Sequence, residues 1–237
     1  MTKKTLYICG DSFCSSDQDY GDNWSDMLAK DHPELNVINL STFGASNYLV
    51  YLQVKHALDQ NCDYLIYHAT SSVRQEFVIT RDNTTFDKFD RYWNQNTQDP
   101  SKTMASLSWL DPRKGASNFY SNKKIDAINN FFKEFIDFNV LVEKNYIFIQ
   151  YTLQLISKNK NLKNWVWSRG GFEHNSFGSI NEWDFDFYAD HHCKVNLWDH
   201  YDPALALKRP YYHITDKRLL EEVSELYYNL LFNQGCV

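Results

Sequence analysis

The chain of 237 residues carries 24 Lys+Arg against 30 Asp+Glu, a net charge of −6, and no basic run, which argues against nucleic acid as a partner. Apolar residues make up 43% and aromatic residues 16%. A chain this long buries roughly 70–75% of its unfolded surface.

No apolar stretch approaches ~18 residues, so no membrane helix is expected. The start, MTKK followed by a five-residue apolar run, is too short for a signal peptide. The five cysteines, Cys9, Cys14, Cys62, Cys193 and Cys236, are odd in number and form no CxxC pair. Reduced thiols and a cytoplasmic setting are therefore expected.

In chain order, Thr5–Cys9 is a short apolar run closed by Gly10, the pattern of a buried strand. Asp22–His32 reads as a helix stopped by Pro33. Asn36–Leu40 reads as a second strand. Helix follows over Ser46–Gln60, where Val50, Val54, Ala57 and Leu58 share one face. Asp63–His68 is a third strand. This β-α-β-α-β order with short connections predicts a parallel sheet covered by helices on both faces.

Residues from about 79 to 121 are polar and are expected to form an insertion or lid with little regular structure. Asn122–Phe138 reads as a helix. A second helix follows, with Val142, Tyr146, Ile149, Leu153 and Ile156 as its stripe. Asn164–Ser168 is a fourth strand. A long loop is expected over about 172–200, with a fifth strand near Cys193–Leu197. The last helix is predicted to start on Thr215 as N-cap and to bury Leu219, Val223, Leu226 and Leu230. One α/β domain over 1–237 accounts for the whole pattern.

In an open parallel sheet, ligands sit beyond the carboxyl ends of the strands. Gly10-Asp-Ser12, Gly44-Ala-Ser-Asn47 and His68-Ala-Thr-Ser71 all fall there, and His213 lies just before the last helix. A serine needs a base within hydrogen-bond reach to become a nucleophile, and backbone amides beside glycine suit an oxyanion. Asp11 reads as structural rather than catalytic, since an acid adjacent in sequence points away from the serine. Asn47 has two open readings, an oxyanion donor or a cap for the helix it opens. Arg74 and Glu76 read as an ion pair, with substrate carboxylate as the other use of Arg74.

The block "GDSF" after a first apolar strand resembles the opening block of the SGNH, or GDSL-type, hydrolase superfamily. "NLSTFGASN" is similar to its second block, and the resemblance spans nearly the whole chain. A branch common in bacteriophage genomes also looks similar. The resemblance implies a flavodoxin-like three-layer α/β/α sandwich with about five parallel strands. It implies Ser12 as nucleophile, His213 as base, and an oxyanion hole from Ser12 and Gly44, with Asn47 or Thr70 as further donors.

Two positions depart from the family pattern. Where the third block usually reads GxND, this chain has His68-Ala-Thr-Ser71. Three residues before His213, where the family acid lies, is Pro210, so the expected acid is Asp202, with Asp199, or a Ser–His dyad oriented by a backbone carbonyl, as the alternatives. The expected activity is hydrolysis of a small acyl ester, for instance an O-acetyl group on a carbohydrate. The alternative is an inactive binding or structural module on the same fold.

Asp190-His-His-Cys193 with Asp199-His200 invites a metal reading, but the i, i+4 helical spacing of zinc hydrolases is missing. No metal or other cofactor is expected. The expected partner is a small-molecule or glycan ester, with no nucleic acid and no membrane; the oligomeric state is not legible.

Overall fold

Apolar runs at the start of the chain build its centre. Strand β1 (Lys4–Cys9) is followed by α1 (Trp24–Asp31), β2 (Leu35–Asn39), α2 (Asn47–Asp59) and β3 (Tyr64–Ala69). Then come β4 (Arg74–Thr80), β5 (Lys102–Ser108), α3 (Asn122–Phe135), α4 (Phe138–Ser157) and β6 (Asn164–Arg169). A 3-10 helix (Asp186–His191), β7 (His192–Cys193) and α5 (Lys217–Phe232) complete the order. The computed structural model describes residues 3–15, 23–42, 45–70, 72, 74–80, 102–108, 122–169, 186–193 and 216–233.

Five strands form one parallel sheet in the order β2-β1-β3-β6-β7. Alternation along each strand feeds two cores, because successive side chains point to opposite faces. Leu6, Ile8, Ile66 and Val166 pack with Trp24, Met27 and Leu28 of α1 and with Leu220, Val223 and Tyr227 of α5. Tyr7, Cys9, Leu65, Tyr67, Trp165 and Trp167 pack with Val50, Val54 and Ala57 of α2 and Ile149, Leu153 and Ile156 of α4. The result is the three-layer α/β/α sandwich with a five-stranded parallel sheet that the strand–helix alternation predicts.

Local signals set the helix ends. Asn23 caps α1 in a capping box: its side chain accepts from the Asp26 N–H, and Asp26 Oδ2 accepts from the Asn23 N–H at 2.9 Å. Ser46 caps α2 by accepting from the Leu49 N–H at 3.2 Å. The cap reading of Asn47 is thereby corrected, since the hydroxyl one residue earlier takes that place.

Three further expectations change. Within the stretch of about 79 to 121 expected to have little regular structure, Lys102–Ser108 forms β5, which pairs antiparallel with β4 from Arg74↔Ser108 to Thr80↔Lys102. A ladder is built from backbone groups, so polar composition does not prevent it. Within the expected long loop, Asp186–Cys193 forms the 3-10 helix and β7, which starts at His192 rather than Cys193. For α5, Asp216 is the N-cap, accepting from the Arg218 and Leu219 N–H groups, while Thr215 lies outside the described residues. Its buried face runs through Leu220, Val223, Tyr227 and Leu231: Val223 is as predicted, while Leu219, Leu226 and Leu230 flank the buried Leu220, Tyr227 and Leu231 one position on. No described helix is long and apolar enough to cross a membrane.

Candidate active site

Strand β1 runs into Gly10, where the backbone is fixed from two sides. Its N–H donates to Gln53 Oε1 at 2.8 Å, and its carbonyl accepts from the Thr42 N–H at 3.2 Å. A Cβ at Gly10 would stand 2.8 Å from Cys14 Sγ and 2.9 Å from His68 Cβ, so only glycine fits. The chain then turns tightly. The Asp11 carbonyl accepts from the N–H groups of Cys14 and Ser15 at 3.0 and 3.1 Å, and Asp11 Oδ1 accepts from the Phe13 N–H at 3.1 Å. Ser12 rides on this turn at the carboxyl end of β1 and keeps 8% of its surface.

Beneath the serine lies a buried polar cluster. Asp11, 2% exposed, accepts at Oδ2 from the Thr70 hydroxyl at 2.5 Å and from Arg74 Nη1 at 3.0 Å. Arg74 Nη1 also donates to Thr70 Oγ1 at 2.6 Å and to the Ala45 carbonyl at 2.5 Å. Burial pushes the Asp11 carboxyl up, but the Arg74 guanidinium, together with the Thr70 and Phe13 hydrogen bonds, outweighs it and holds the group below the ordinary range. Asp11 is therefore a carboxylate, and its role is to lock the turn.

His68 is the next-to-last residue of β3, at the same edge of the sheet. It is fully buried, its Nδ1 is 3.7 Å from Asp11 Oδ1, and neither ring nitrogen has a hydrogen-bond partner among the described residues. Burial pushes its pKa down, with Arg74 assisting and Asp11 opposing. The imidazole is therefore neutral near pH 7, packed against Phe13 at a ring separation of 6.2 Å.

Asn47, fully buried on the first turn of α2, cross-links this edge. Its Oδ1 accepts from the Thr70 N–H at 2.9 Å, while its Nδ2 donates to the Thr70 carbonyl at 3.0 Å and to Asn145 Oδ1 at 3.2 Å. Asn145 Nδ2 in turn donates to the Arg74 carbonyl at 3.2 Å, tying α4 into the same edge.

Among the sequence-predicted site residues, the structure brings Ser12, Thr70 and Asn47 to one edge of the sheet. Gly44, Asp199, Asp202 and His213 lie outside the described residues. Arg74 pairs with Asp11 rather than with Glu76, whose partner is Lys144 Nζ at 2.9 Å. The guanidinium reaches back across the sheet edge, and Glu76 is close to α4. His191 stacks on Trp165 at 4.2 Å with its Nδ1 3.0 Å from the Trp165 carbonyl, and the His192 ring lies 4.4 Å from that of Trp167. Sequence reasoning missed the joining of Asp11, Thr70, Arg74 and His68. The available signal was a His closing an otherwise apolar run, followed within six residues by Thr70 and Arg74.

No protein-family model and no curated protein matches the chain. Several solved structures resemble it at low level, two of them as follows. Protein YxiM from Bacillus subtilis is 10% identical with a TM-score of 0.45, over 100% of this chain and 58% of that one. The lipase Lip_vut3 from a goat rumen metagenome is 12% identical with a TM-score of 0.43, over 97% of each chain. This chain thus spans little more than half the length of the first. Likeness at this level leaves the chemistry to be argued from the chain's own residues.

Proposed function

We propose that the protein is a serine ester hydrolase with Ser12 as nucleophile. The observation that supports this most is the placement of Ser12. It stands on a tight turn at the carboxyl end of a central parallel strand, and the buried Asp11 locks that turn. In this reading His213 takes the Ser12 proton as the oxygen attacks an ester carbonyl, and Asp202, or Asp199 in its place, orients the imidazole. The backbone N–H groups of Ser12 and Gly44 hold the oxyanion. The proton passes to the leaving alcohol. Water then adds to the acyl-enzyme, releasing the acid and restoring Ser12. No cofactor is required.

Asn47 and Thr70 act here as scaffolding. The Thr70 hydroxyl proton goes to Asp11, and the Asn47 amide is committed to the Thr70 backbone and Asn145. The substrate class follows from the family resemblance alone: a small acyl ester, such as an O-acetyl group on a glycan. The same engagement of Asn47 and Thr70 favours one rival, a binding module on this fold that has lost turnover. Hydrolysis of p-nitrophenyl acetate by wild type and Ser12→Ala separates the two. The hydrolase reading expects activity that the variant loses; equal rates would sink it.

A further inference from the structure

We propose that Arg74 is a positioning residue for this site, setting the turn that carries Ser12 against the loops that follow β2 and β3. The inference rests on the ester-hydrolase reading above. A single nitrogen, Nη1, meets three acceptors on three separate segments. They are Asp11 Oδ2 at 3.0 Å, the Ala45 carbonyl at 2.5 Å and Thr70 Oγ1 at 2.6 Å. Asp11 directly precedes Ser12, Ala45 directly follows Gly44, and Thr70 opens the loop after β3.

Arg74 is itself well anchored. It begins β4, its carbonyl accepts from Asn145 Nδ2 of α4, and its side chain is only 14% exposed. The clamp therefore fixes the relative position of segments that no continuous strand or helix joins. Nucleophile and oxyanion donors on different loops must hold a near-attack geometry, and a displacement of about 1 Å can cost about 100-fold in rate.

Charge adds a second reason. Asp11 is a buried carboxylate next in sequence to the nucleophile, and an unbalanced negative charge there would oppose a developing oxyanion. The guanidinium balances it at 3.0 Å. A lysine would keep the charge, but its amine ends one atom short of Nη1 and cannot meet all three acceptors from the same backbone.

The test measures labelling of Ser12 by a fluorophosphonate probe and turnover of p-nitrophenyl acetate in wild type, Arg74→Lys and Arg74→Gln. The rate constant is read on the fraction of molecules that labels, so a partly unfolded preparation still reports. The expected result is an unchanged final fraction, a labelling rate about 10- to 100-fold lower in Arg74→Lys and lower still in Arg74→Gln. The kcat value falls by the same factor with KM nearly unchanged. A merely structural role would lower the labelled fraction and leave the rate constant alone, and that outcome overturns the inference. So does a wild-type rate in both variants. If wild type itself is not labelled at Ser12, the hydrolase reading falls and takes the inference with it.

Discussion

Arg74 Nη1 stands 3.0 Å from Asp11 Oδ2, joining the residue before Ser12 to the first residue of a strand 63 positions later. The carboxylate is 2% exposed and the guanidinium side chain 14% exposed, so neither charge is well screened by water. Removing one partner strands the other. Asp11→Asn is expected to lower stability by about 3 kcal/mol, the range for breaking a buried pair from one side. Urea unfolding checks it, and a loss well under about 1 kcal/mol would mean that solvent already reaches the pair.

Gly10 is the tightest point beneath the serine. Gly10→Ala places a methyl group 2.8 Å from Cys14 Sγ and 2.9 Å from His68 Cβ, and the second contact lies at the root of a side chain fixed on a strand. Overpacking of this kind costs about 1–3 kcal/mol. Thermal unfolding of Gly10→Ala should show that loss. Adding Cys14→Ala should recover part of it, whereas a neutral Gly10→Ala would show that the turn relaxes freely.

His68 gives stability a pH dependence of definite sign. Its folded pKa lies below the ordinary 6.5 because burial disfavours the cation. Above pH 6.5 both folded and unfolded chains carry the neutral ring. As pH falls below that value, the unfolded state takes up a proton that the folded state refuses, and stability drops by up to about 1.4 kcal/mol per pH unit. Asp11 faces the ring and opposes this, and Arg74 reinforces it. Urea unfolding from pH 8 to pH 5 on wild type and His68→Leu isolates the effect. The stability of wild type relative to the variant should fall with pH; a constant or rising difference would contradict a neutral buried His68.

The sheet was legible in the sequence because its central strands are buried on both faces and read as continuous apolar runs, as in Thr5–Cys9 and Asp63–His68. The antiparallel pairing of β4 with β5 was not, since backbone pairing leaves no apolar signature in a strand as polar as β5. Of the α5 stripe, Val223 was placed correctly, while Leu219, Leu226 and Leu230 were one residue off because each stands beside a buried apolar neighbour, Leu220, Tyr227 and Leu231. At the site, Ser12 and a structural role for Asp11 were readable from a strand ending on glycine. The partners of Asp11 were not. Thr70 and Arg74 are 59 and 63 residues away, and only the folded sheet edge brings them together.

The central claim is that Ser12 is the nucleophile. Labelling the intact protein with a fluorophosphonate and mapping the adduct by mass spectrometry tests it most directly. The account predicts one adduct, on Ser12, lost in Ser12→Ala and strongly slowed in His213→Ala. An unlabelled protein, or an adduct on another residue with Ser12→Ala still hydrolysing ester at the wild-type rate, would contradict it.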